Sequence, residues 1–327
     1  MDVALPGRGK SVSTRSRVLA TLDRIDPDLG AFITVDPDAA LRRAERDPGG
    51  RLRGLTLSVK DLIDTAGLRT TYGSPRYRHH VPTATAPVVA RLEREGAIII
   101  GKTNLNEYAY GVSGYNPHFG LMRTPADRER TPGGSSGGAA VAVAMGACDI
   151  AIGTDTSGSV RIPAACCRVY GFKCAHGAVA MSGVHPLAPR HDSIGYLTTK
   201  IEVLQRVLRL PELPPLGTVR VATEGEIALP ALPFDAHWTD FRDQSYRIHR
   251  RRATEHPEEY GADLQVKLSS PVGDIDSARE KLTLWRQTFD RALRDIDLVV
   301  LPVFPGEPPT VDEVLNDYEH GTLTTSE

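Results

Sequence analysis

Residues 131–163 read TPGGSSGGAAVAVAMGACDIAIGTDTSGSVRIP, and this stretch sets two serine-containing, glycine-rich turns on either side of an apolar segment. Gly133, Gly134, Gly137 and Gly138 bracket Ser135 and Ser136, a composition that opens backbone geometries closed to most residues. Every residue from 139 to 147 is small or apolar, which predicts a buried helix whose first, unpaired amides face the GGSSGG turn. Residues 149–153 predict a buried strand. It runs into Thr154-Asp155-Thr156-Ser157-Gly158-Ser159, a second turn with backbone amides free to converge on an anion or an oxyanion.

The chain around this stretch has 327 residues, 40% of them hydrophobic, with a net charge of −2. Such a composition suits one large or two small globular domains with ample core. With 39 basic against 41 acidic residues there is no global pull toward polyanions. The local basic run YRIHRRR at 246–252 reads as a solvated helix face, so no nucleic-acid partner is expected. The first residues carry no apolar leader core, and the apolar block at 139–148 is too short to span a bilayer. A soluble cytoplasmic protein without membrane contact is the expectation. Cys148, Cys166, Cys167 and Cys174 form no CxxC pair, and Cys166, Cys174 and His176 lack the second spaced pair of a metal site. They read as buried reduced thiols, with no metal and no cofactor expected.

Along the chain, periodicity predicts a helix over 14–28, a strand over 31–35, a helix over 37–46 and a strand over 53–59 that delivers Lys60 at its end. Leu57 and Val59 before that lysine and Leu62 and Ile63 after it predict its burial, which would lower its proton affinity and make it a base. A helix over 88–95 precedes a strand over 97–100. Residues 96–103, GAIIIGKT, match the phosphate-loop pattern, but the positions that should form a turn are the apolar strand itself, which argues against a nucleotide site. A long polar loop over 111–130 is of the kind that lines a pocket. Further on come a strand over 170–173, a helix over 204–210, a proline-rich linker over 211–237, helices over 241–260 and 277–293, a buried strand over 297–302 and a short helix over 311–318. The fold class expected is α/β, a central mixed β-sheet flanked by helices. One domain is expected, with its catalytic core at about 50–200, the linker at 211–237, and a helical segment with a late strand at 238–327.

The turns GGSSGG and GTDTSGSVRIPA, the earlier LSVKDLIDTAG at 57–67 and the segment GKTNLNEYAYG together resemble the amidase signature family. Members are serine hydrolases whose nucleophile is activated by a second serine and a lysine. The resemblance implies an amidohydrolase that cleaves a small-molecule linear amide through an acyl-serine intermediate. By that resemblance Ser159 is the nucleophile, Ser135 the relay and Lys60 the neutral base, the Gly134–Ser135 peptide is cis, and the backbone amides of Thr156, Ser157, Gly158 and Ser159 form the oxyanion hole. The histidines at 79, 80, 118, 176, 185 and 191 offer no convincing histidine–carboxylate pair, and there is no G-x-S-x-G elbow. Arg161 is expected to pair with Asp155. Two other readings stand beside the hydrolase: the amidase subunit of a glutamine-dependent amidotransferase, and a catalytically impaired binding or scaffold relative.

Departures from the family pattern carry expectations of their own. Ser157 and Arg168 stand where glycine is usual, Cys174-Ala175 where Pro-Thr is usual, and Thr124 where Asn is common. A positive φ at Ser157 would add strain of about 1 kcal/mol. The region at 223–237 reads as shortened, and the family's closing motifs do not follow. An uncovered apolar face at 297–302, a more open pocket, and a chain that self-associates or needs a partner protein are therefore expected.

Overall fold

A computed structural model describes residues 13–46, 49–211, 219–223, 225–303 and 306–320. In chain order its strands are β1 (Phe32–Val35), β2 (Thr56–Lys60), β3 (Ile98–Thr103), β4 (Tyr115–Asn116), β5 (Gly120–Leu121), β6 (Ile150–Asp155), β7 (Tyr170–Lys173), β8 (Ser193–Thr198), β9 (Val221–Thr223) and β10 (Leu298–Val300). Its helices are α1 (Thr14–Leu22), α2 (Pro37–Arg46), α3 (Pro87–Arg94), α4 (Gly137–Ala144), α5 (Arg161–Cys166), α6 (Ile201–Leu208), α7 (Phe234–Glu255), α8 (Ala262–Ser269), α9 (Ile275–Ala292) and α10 (Val311–His320).

Six strands form one mixed sheet in the order β1-β3-β2-β6-β8-β7. The inner pairs β2/β3 and β2/β6 are parallel, and the outer pairings are antiparallel. The parallel centre is buried on both faces, which is why β3 and β6 open on the apolar runs III and IAI, and why every residue of β2 is buried although Thr56, Ser58 and Lys60 alternate with Leu57 and Val59. Alternation along those strands still separates two cores. Leu57, Val59, Ile99, Ile150 and Ile152 pack in one with Leu92 of α3 and Phe241 of α7. Ile98, Ile100 and Ala151 pack in the other with Val18, Ala40 and the small residues of α4.

Helix α4 explains the run of alanine and valine. Every residue from Gly137 to Val143 is buried, and a Cβ on Gly138 would stand 2.4 Å from the carbonyl oxygen of Ala31 and 2.6 Å from that of Asn104. Larger residues would hold the first turn of the helix off the backbone it rests on, so glycine is required there.

The structure departs from the sequence reading at several elements. Helix α1 ends at Leu22, short of 28, because Asp26 precedes Pro27 and a residue before proline is disfavoured in helical conformation. The Asp26 carboxylate instead accepts the Asp28 amide at 3.0 Å and opens a single 3-10 turn. Strand β3 runs on through Lys102 to Thr103, so the GAIIIGKT segment is strand and no phosphate loop. In the expected linker, 212–218 and 224 lie outside the described residues, 221–223 form β9, and α7 has begun by Phe234. The strand predicted as buried over 297–302 is β10, which pairs in parallel with β9 in a separate two-stranded sheet. Leu298 and Val300 are each 51% exposed. An apolar pattern records what a segment could bury; whether a cover reaches it is set elsewhere in the chain.

Backbone strain falls at one of the two positions where glycine is usual in the family. Arg168 has φ 57, the left-handed region, whereas Ser157 does not, because the positive φ of its turn is taken by Gly158 at 116. Left-handed geometry costs a side-chain-bearing residue about 1–2 kcal/mol, against about 0.4–1 kcal/mol for the extra freedom glycine gains on unfolding. Arg168→Gly is therefore expected to stabilise the fold by up to about 1 kcal/mol, read as a higher urea midpoint at unchanged slope. A lower midpoint would show that the exposed arginine side chain makes a contact worth more than the strain.

Candidate active site

Lys60 closes β2, and its parity with Thr56 and Ser58 points it to the face that carries α4. The pairing of β2 with β6 ends at Val59 and Ile152, one residue before Lys60 and Gly153. A Cβ on Gly153 would come within 2.7 Å of Ser136 Oγ, so glycine there leaves room for the hydroxyls that surround the ammonium position. Lys60 is fully buried, and its Nζ lies 2.8 Å from Ser135 Oγ, 2.9 Å from Ser136 Oγ and 2.9 Å from Thr154 Oγ1. Burial lowers its pKa to about 7, against the smaller upward pull of Asp155 and Asp192. The positive end of the α4 dipole works in the same direction as burial.

Ser136 occupies the N-cap position of α4, yet its side chain makes no capping bond. Its hydroxyl donates to the Thr154 carbonyl at 3.1 Å, and its amide donates to the Ser159 carbonyl at 3.0 Å, tying the first turn to the second. The peptide between Gly134 and Ser135 is cis. Ser135 is fully buried and Ser159 is 5% exposed.

Asp155 organises the second turn. It accepts the Gly158 amide at 2.9 Å and the Val160 amide at 3.1 Å, and takes Arg161 in a fork through Nε at 3.0 Å and Nη2 at 2.9 Å. Burial pushes its pKa up, but the Arg161 hydrogen bonds and charge together with the two amides more than offset this and hold it below the usual carboxylate range. Arg161 is thus a structural partner of Asp155. The Gly158 amide is committed to the same carboxylate, whereas the amides of Ser157 and Ser159 have no hydrogen-bond partner among the described residues. Asp192, which sequence reasoning does not single out, accepts the Thr156 hydroxyl at 2.7 Å and the Leu187 amide at 3.0 Å, fixing the start of this turn from the loop that leads into β8.

Ser159, Thr156 and Ser157 open on a cleft of about 290 Å³, walled by Ile162, Leu187, Trp238, Phe241 and Arg242. Three of those wall residues come from α7. Sequence reasoning ends the linker at 237 and begins this helix at 241, which puts Phe241 and Arg242 on a helix without placing that helix against the cleft. The signal is present nonetheless: Trp238, Phe241 and Ser245 recur at helical spacing, and Phe241 and Ser245 are buried. On the same helix His237 places Nε2 3.1 Å from Ser157 Oγ, and its ring meets that of His191 edge to face.

Histidine–carboxylate pairs do form where the sequence offers none that convinces: His191 Nε2 lies 2.9 Å from Asp240 Oδ2, and His118 Nε2 lies 3.1 Å from Glu107 Oε1. No histidine among the described residues hydrogen-bonds Ser135 or Ser159. Lys102 of the rejected phosphate-loop pattern is buried beneath the sheet end, donating to the Ile63 carbonyl and to Thr70 Oγ1 at 2.8 Å. All four cysteines are free and buried. Among the described residues one trio could approach a metal, His256, Glu258 and Glu259, but Arg252 already engages Glu259. The basic run at 246–252 is likewise internally paired, Arg247 with Asp243 and Arg251 with Glu255, as a solvated helix face should be. No described helix is long and apolar enough to cross a membrane.

Comparison with known proteins gives this geometry its context. The family model described as Amidase matches residues 16–212, more than half of the chain, and the chain belongs to the amidase signature family. A glutamyl-tRNA(Gln) amidotransferase subunit from Desulforapulum autotrophicum is 43% identical over 201 residues, 58% of this chain and 41% of that protein. Amidase 1 of Arabidopsis thaliana is 43% identical over 185 residues, 55% of this chain and 42% of that one. The chain thus spans about two fifths of the length of these curated relatives. Among solved structures, one described as the crystal structure of an amidase superposes with a TM-score of 0.82 at 30% identity, over 92% of this chain and 80% of that one.

Proposed function

We propose that this chain hydrolyses the C–N bond of a linear amide through an acyl-serine intermediate, with Ser159 as nucleophile, Ser135 as proton relay and Lys60 as base. The observation that carries the reading is the 2.8 Å contact between Ser135 Oγ and the Nζ of a fully buried lysine whose pKa lies at about 7. A neutral amine has two protons and one lone pair to share among its three hydroxyl neighbours. Ser136 has already given its proton to Thr154, so it must accept from Lys60. The lone pair is left for Ser135 or Thr154, and when it faces Ser135 the relay is set to run toward lysine.

In the reaction proposed, Ser159 Oγ bonds to the substrate carbonyl carbon while its proton passes to Ser135 and the Ser135 proton passes to Lys60. Collapse of the tetrahedral adduct breaks the C–N bond, and the leaving amine takes the proton back along the same path. Water then cleaves the acyl-serine ester. The amides of Thr156, Ser157 and Ser159 face the developing oxyanion, each worth roughly 3 kcal/mol in the transition state, and Gly158 serves by shaping the turn. Labelling by a fluorophosphonate probe, with Ser159 identified as the modified residue, tests the reading; an intact site after exposure would favour a non-catalytic binding relative.

A second reading is favoured by the relatives named as glutamyl-tRNA(Gln) amidotransferase subunits. In that case the same chemistry would release ammonia for a partner protein. Glutaminase activity that appears only when a second protein is added would identify it.

A further inference from the structure

Helix α7 carries five arginines, at 242, 247, 250, 251 and 252. Four of them are engaged: Arg247 with Asp243, Arg250 over the ring of Tyr246, Arg251 with Glu255 and Arg252 with Glu259. Arg242 is the exception: it is exposed, has no hydrogen bond, ion pair or ring contact among the described residues, and is the one that lines the cleft shared with Ser159. The acids within reach along the helix are already taken. Asp240 binds His191, Arg190 and Arg279, and Asp243 binds Arg247 and Arg279. The other cation of the cleft, Lys267, is held by Asp263 at 3.0 Å. The cleft therefore has at its solvent-facing wall a positive charge with no counter-charge among the described residues, an apolar lining from Trp238, Phe241, Ile162 and Leu187, and the proposed serine nucleophile at another wall.

We infer that this cleft selects small primary amides that also carry a carboxylate, and that Arg242 receives the carboxylate. The inference rests on the reading of Ser159 as nucleophile. A guanidinium is the side chain best matched to it, since its planar fork binds a carboxylate through two parallel hydrogen bonds and keeps its charge at any working pH. The cleft of about 290 Å³ suits a short molecule in which the amide carbonyl and the carboxylate are a few bonds apart. Arg242 is a specificity residue in this account: it holds the end of the substrate remote from the bond that breaks.

The test compares three amides of nearly equal length, succinamic acid, butyramide and 3-aminopropanamide, with the full chain and two variants. The wild-type protein should prefer succinamic acid. In Arg242→Gln the ratio of kcat/KM for succinamic acid over butyramide should fall by about 10- to 100-fold, the range set by loss of a charged hydrogen bond, with most of the change in KM. Arg242→Glu should turn the preference toward 3-aminopropanamide, an inversion that a merely structural residue would not produce. A wild-type protein that is labelled at Ser159 by a fluorophosphonate but shows no preference for the acid overturns this inference alone. An unchanged ratio in Arg242→Gln also overturns it. Absence of Ser159 labelling in the wild type overturns the hydrolase reading and this inference with it.

Discussion

Ser159→Ala is expected to abolish turnover and acyl-enzyme formation together, lowering kcat by about 10⁴-fold or more, because no other group at the cleft is proposed to form the covalent bond. Ser135→Ala should behave differently. On the reading proposed, it removes the relay that Lys60 holds at 2.8 Å while leaving Ser159 and the amides of its turn in place, so slow acylation should survive at a rate about 10²- to 10⁴-fold down. Quenched-flow measurement of the first product, with mass spectrometry of the trapped protein, separates the two. Equal residual rates, with an adduct in neither variant, would contradict this division of roles.

The second large effect is on pH dependence. Burial places the Lys60 pKa at about 7, so the neutral form that can accept a proton grows as pH rises through that value. For a base this predicts that kcat/KM climbs through about pH 7 and then levels off. Lys60→Ala should cost about 10²- to 10⁴-fold and flatten that limb. Lys60→Arg should be no better, since a guanidinium stays charged throughout and cannot serve as the acceptor. A profile that keeps its rise in the alanine variant would move the base to another group, and His237 beside Ser157 would be the first to examine by substitution.

Most of what is legible in the sequence lies where local spacing and tertiary role coincide. Strand β7 and helix α2 occupy the residues predicted for them, and the strands carrying Lys60 and the GTDTSGS turn lie in the parallel centre of the sheet, where the alternation of Leu57 and Val59 and the apolar start of β6 are both readable. Burial of Lys60 is legible from its four apolar neighbours. What is not legible depends on contacts between distant segments. Nothing near Gly158 in the chain announces that its amide is taken by Asp155, and nothing near Asp192 announces that it holds Thr156. The helix that carries Arg242 is legible from 241, but that it walls a cleft built by a turn far earlier in the chain is not. Strand β10 shows the converse, a pattern legible as strand whose exposure only the surrounding elements decide.

The second buried lysine gives the molecule an alkaline preference. Lys102, like Lys60, is fully buried, and desolvation brings its pKa down to about 8 against the upward pull of Asp61 and Asp64. In the unfolded chain both amines would hold their protons to about pH 10.4. From about pH 7 the unfolded state therefore binds one proton more than the folded state, and from about pH 8 it binds two more. Because the unfolded state binds more protons, stability rises with pH across this range, by about 1.4 kcal/mol per pH unit for each lysine. The rise has an upper bound. Burial pushes up all four thiols, Cys166 to about 11 and Cys148 to about 12, and raises the hydroxyls of Tyr72 and Tyr108, so above about pH 9 the protons that the folded state keeps outnumber the two that its lysines have lost. The melting temperature should accordingly peak near pH 9, well above the isoelectric point of 6.6, and the chain should be easiest to keep folded in mildly alkaline buffer, where Lys60 is also in its proton-accepting form.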